Sequence, residues 1–139
     1  IRRYEKPNSS GRELVRKLCL SLGLLQPGDS RDVIVDIVLC LLEAKIRQEE
    51  LHSEEIKNCV MDYRKKNSLQ MLGVAGSNIR RQLKRLKDMH LIESRSNLYR
   101  INEFASLSEI YQEKIEPFII EMIQQRIKEY LFAIDQQFK

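Results

Sequence analysis

The chain has 139 residues, 24 Lys and Arg against 20 Asp and Glu, a formal net charge of +4 and 42% apolar residues. That length supports one domain with a real core plus an appended helix, and the composition is that of a charge-rich helical protein. A membrane span is excluded, because the longest apolar stretch, Val33 to Ala44, is short and interrupted by Asp36 and Glu43.

Ile1 to Ser10 is polar and reads as a loose arm, without the apolar core of a signal peptide. From Arg12, the positions Leu14, Val15, Leu18, Cys19 and Leu22 follow helical spacing, and Gly23 stands where a C-terminal cap belongs. Leu25 to Ser30 is a turn punctuated by Pro27 and Gly28. A second helix starts near Ser30 and Asp32 and runs to about Arg47. It is apolar on nearly all sides, which predicts a central position. Its β-branched run Val33 to Val38 could form a strand, but the length favours a helix. Ser53, followed by Glu54 and Glu55, predicts a third helix with a hydroxyl N-cap, dissolving in the charged run Arg64 to Asn67.

Gly76 to Asn102 is the most informative stretch. Between Ser77 and Arg100 seven cationic residues outnumber two acidic ones, a local net charge of +5 in a chain of +4. At 100° per residue, Ile79, Leu83 and Leu86 share one face of a helix. Lys84, Arg81, Asp88 and Ser77 point away from that face, and Arg85 and Lys87 occupy its shoulders. An anchored helix with an outward cationic face suits insertion into a nucleic-acid groove, where Arg reads guanine edges and shoulder cations meet phosphates. A charge run alone is most often a solvated face. Here it is followed by two short β-like runs, Leu91 to Ser94 and Leu98 to Ile101, around Arg95-Ser96-Asn97.

Residues Ile79 to Ile101 resemble the winged-helix branch of the helix-turn-helix superfamily. The family's recognition helix ends in a leucine-rich pattern before a strand–turn–strand wing, and Leu83, Leu86, Leu91, Ile92, Tyr99 and Ile101 supply it here. The helix at Val33 to Leu42 looks like the family's first, and the one from Ser53 like its second, so the resemblance covers about Arg31 to Asn102. It departs at His90, where the family has glycine and where His can still adopt positive φ. It departs again in the long connection from Arg64 to Ala75. The resemblance implies a mainly α winged helix-turn-helix domain (31–103) with a small β-hairpin wing, preceded by an N-terminal arm and helix (1–30) and followed by a C-terminal helical extension (104–139). It implies binding of double-stranded DNA by a transcription regulator or chromosomal protein, with Ser77, Asn78, Arg80, Arg81 and Lys84 at the major groove. Arg85, Lys87, Arg95 and Asn97 would lie on phosphates or at the wing. The alternative use is a protein–protein interaction module within a larger complex.

Pro117 suits the first turn of a long last helix. Ile120, Ile123, Ile127, Tyr130 and Ile134 recur at alternating spacings of three and four, a heptad seam that predicts a homodimer. Phe118, Ile119, Met122, Leu131 and Phe138 form a second apolar group, so one face could meet the N-terminal helix and the other a second copy.

No nucleotide-binding, nucleophile-elbow or HExxH motif occurs, and paired acids such as Glu54-Glu55 are adjacent rather than convergent, so no enzyme and no cofactor is expected. Cys19, Cys40 and Cys59 lack metal or disulfide-framework spacing; all three read as small core residues in a reducing, cytoplasmic setting.

Overall fold

The computed structural model describes residues 11–26, 28–29 and 31–139. The expected arm at Ile1 to Ser10 and the turn residues Pro27 and Ser30 lie outside them. The fold is mainly helical with one small three-stranded antiparallel sheet. Two units divide the chain between Phe104 and Ala105.

In the first unit, α1 (Gly11–Ser21) stops as expected at Gly23, φ 77°. The Leu24 N–H reaches the Cys19 carbonyl at 2.9 Å and the Gly23 N–H that of Leu20 at 3.2 Å. These two bonds satisfy two of the orphan carbonyls of the last turn. Helix α2 (Val33–Ile46) confirms the central position: every residue from Val33 to Leu41 is buried, with α1 and three later elements packed against it. Apolar burial on all sides outweighs the strand preference of its β-branched residues.

Three features differ from the sequence reading. Leu51 and His52 form a strand, β1, too short for periodicity to reveal. Helix α3 (Ser53–Lys66) is capped by His52 rather than by Ser53. The imidazole Nδ1 accepts from the Glu54 N–H at 3.2 Å, and the Glu55 carboxylate accepts from the His52 N–H at 3.0 Å. The run Arg64-Lys65-Lys66 does not dissolve α3 but completes it, because Arg64 turns inward and is 1% exposed.

The cysteine reading is corrected as well. Cys40 of α2 and Cys59 of α3 form a disulfide, their Cα atoms 6.3 Å apart. Helix packing brings together two residues whose spacing carries no framework signature. Cys19 remains free and buried, as expected.

Helix α4 (Gly76–Asp88) follows, terminated by His90 at φ 67° with Leu91 N–H bonded to the Leu86 carbonyl at 3.2 Å. The expected positive-φ cap is therefore formed by His90 in place of glycine. Strands β2 (Ile92–Arg95) and β3 (Leu98–Ile101) pair antiparallel, and the sheet order is β1-β3-β2. Ser96 and Asn97, at φ 52° and 63°, make the tight turn whose positive φ values suit a two-residue hairpin.

The second unit begins with α5 (Leu107–Ile110), capped by Ser106. A wide π-turn, Tyr111–Ile115, then leads into α6 (Glu116–Gln137). Pro117 has no N–H to return to the preceding turn, and the Glu116 N–H reaches back five residues to the Tyr111 carbonyl instead. The long last helix is as expected, with 22 residues. At 100° per residue, Leu131 and Phe138 lie beside the Ile120–Ile134 seam rather than on a second face; Phe118, Met122 and Phe132 lie opposite. No helix among the described residues is long and apolar enough to cross a membrane.

Candidate nucleic-acid interface

Helix α4 divides sharply into two faces. Ile79, Leu83 and Leu86 are buried to 1% exposure or less, so the helix has little freedom to roll. Ser77, Arg80, Arg81, Lys84, Arg85, Lys87 and Asp88 are all exposed on its other sides. Arg80, Arg81 and Lys87, together with Arg95 on the hairpin, form no ion pair and no side-chain hydrogen bond among the described residues. Lys84 pairs with Asp88 at 3.0 Å, an exposed contact of small energy that a phosphate could displace. Arg85 donates to Gln82 at 2.8 Å. Its charge also reaches Cys19 of α1, whose thiol burial pushes up to about 11 against the opposing pull of Arg85 and Arg12.

Two of the expected site residues have internal tasks. Asn78 is half-buried and donates to the Gly73 carbonyl at 2.7 Å while accepting from Gln82 at 3.2 Å, fastening the α3–α4 loop to the start of α4. Asn97, at the hairpin turn, has its amide 2.8 Å from His52 Nε2 and 3.2 Å from Ser53 Oγ. The turn is thereby tied to the N-terminus of α3, and Arg95 is the outward cation there. Arg100, counted in the basic stretch, bonds Glu93 at 2.5 Å and lies 4.8 Å over the Phe104 ring.

An ion network that the sequence reading missed joins the helices that precede α4. Arg64 donates to Asp32 at 3.0 Å, Asp36 at 2.8 Å and the Gln70 carbonyl at 2.5 Å. Arg12 of α1 closes on the same two carboxylates, at 2.8 Å to Asp36 and 3.0 Å to Asp32, and Arg16 stands 3.7 Å from Asp32. Helices α1, α2 and α3 and the loop before α4 are joined at one point. Burial raises the Asp32 pKa, but hydrogen bonds from Arg12 and Arg64 prevail and hold it below its usual value. A sequence signal existed: Asp36 sits among the apolar residues Val33 to Leu42 of α2, and a buried charge requires a cation.

Among the described residues no cluster of His, Cys, Asp and Glu could hold a metal ion. Comparison with protein families, with curated proteins and with solved structures finds no match for this chain.

Proposed function

We propose that residues 31–103 are a winged-helix module that binds duplex DNA in the service of transcription regulation. The observation that carries this reading is a set of uncommitted cations, Arg80, Arg81 and Lys87, on the open side of a helix whose other side is locked by Ile79, Leu83 and Leu86. The order α2, α3, α4 and hairpin also fits the resemblance from which the expectation came. In this reading α4 enters the major groove. Arg80 and Arg81 meet base edges, Ser77 and the N-terminal dipole help at a phosphate, and Lys84 exchanges Asp88 for one. Arg85, Lys87 and Arg95 meet the flanking backbone. Asn78 and Asn97 hold the two supporting loops and contact DNA little.

The test is fluorescence-anisotropy titration of a random-sequence duplex with the full chain at two salt concentrations. Neutralising about four phosphates lowers affinity on the order of a hundredfold between roughly 50 and 200 mM salt. Replacing Arg80 and Arg81 by Ala removes two positive charges and is expected to weaken binding to this duplex and to lower the salt slope by up to about 2. Binding that ignores salt, or a double variant with unchanged affinity and salt slope, refutes the proposal and leaves the protein-interaction use of the fold.

A further inference from the structure

Helix α6 carries more exposed apolar surface than a single small unit ordinarily shows to water. Ile120, Ile123, Ile127, Tyr130, Leu131, Ile134 and Phe138 are each between 49% and 79% exposed. At 100° per residue they fall within a stripe roughly 100° wide along the whole helix. With about 150–250 Å² for an aromatic side chain and somewhat less for Ile or Leu, that stripe presents on the order of 700 Å². The largest apolar patch on a typical monomer is about 300–600 Å², whereas one side of a standard protein interface is about 800 Å².

We infer that this stripe pairs with the same stripe of a second copy, giving a homodimer joined through α6. Two facts favour a second copy over a different protein. The seam repeats at alternating spacings of three and four, so an identical helix offers knobs and holes at the same period without further design. The stripe also lacks charge along most of its length. Glu116 at its start is the one ionised group within it, and Arg126, Lys128, Glu129 and Asp135 lie outside. Nothing in it selects a partner of opposite charge. Together the two stripes bury on the order of 1,400 Å², within the range of stable specific interfaces. The pairing does not rest on the DNA-binding reading; if both hold, it joins two α4 helices in one particle.

Sedimentation equilibrium of the chain without DNA tests the pairing. At about 20 micromolar the expected mass is twice the 16.5 kDa of one chain. Ile127→Lys, at the centre of the stripe, is expected to return the mass to one chain. Ile127→Ala, which a helix accommodates readily, is expected to raise the dissociation constant at least tenfold. Phe132→Ser, on the opposite side of the helix, is expected to leave the dimer intact. A wild-type chain that stays at one mass up to about 100 micromolar, or assembles into three or more copies, overturns the inference. So does an Ile127→Lys chain that keeps the double mass. Because no DNA is present, failure here is distinct from failure of the DNA-binding proposal.

Discussion

Replacing Arg64 by Met is the sharpest test of how the first unit joins α1, α2 and α3. Met keeps much of the apolar stem and removes the guanidinium that bonds Asp32, Asp36 and the Gln70 carbonyl. Arg64 is 1% exposed and Asp36 is fully buried, so little solvent screening lessens the loss. Breaking a buried pair costs about 3–5 kcal/mol. Both carboxylates retain Arg12, so the lower end applies and a loss of about 3 kcal/mol is expected, a large share of a typical 5–15 kcal/mol total. Urea unfolding followed by circular dichroism at neutral pH measures it as a lower midpoint with unchanged slope. The pH dependence supplies a second reading. The Asp32 pKa is depressed in the folded chain, so its stabilisation is present above the unfolded value near 4 and is lost as pH falls through the lowered folded value. Arg64→Met is expected to flatten that acid limb, because one of the two guanidinium groups that depress the value is gone. A destabilisation under about 1 kcal/mol, the range of exposed pairs, would refute the buried-network account.

Reducing the Cys40–Cys59 disulfide, which spans 19 residues, is expected to lower stability by about 3 kcal/mol, measured by urea unfolding with and without reductant; an unchanged midpoint argues against the bond. Without reductant, the folded chain is expected to resist iodoacetamide near pH 8, since the remaining thiol, Cys19, is buried and pushed up to about 11. Mass-spectrometric labelling of Cys40 or Cys59 in that experiment would contradict the pairing. Gly73→Ala adds a Cβ 3.0 Å from Asn78 Nδ2 at φ 78°, and is expected to cost about 2–3 kcal/mol. Gly23→Ala shares a similar φ of 77° in open space and is expected to cost about 1 kcal/mol, so equal melting shifts would show that the Asn78 contact is unimportant.

Much of the fold was legible because it rests on local rules. The 3.6-residue period located α1, α2, α4 and α6, Gly23 marked one helix end while only the family resemblance marked the one at His90, and the apolar completeness of α2 announced its central position. The outward cations of α4 were legible for the same reason: once Ile79, Leu83 and Leu86 are inside, helical geometry leaves Arg81 and Lys84 outside.

Contacts between residues far apart in the chain were not legible. Strand β1 exists only because β3 lies beside it, and Leu51 has no pattern of its own. The tasks of Asn78 and Asn97 depend on where Gly73 and His52 come to rest. Most telling is Arg64, whose place in a run of like charges suggests a solvated end, although packing draws it under α2. Periodicity reports which way a side chain points from its own helix. Whether that direction leads to water, a carboxylate or a second sulfur is decided only when the helices meet.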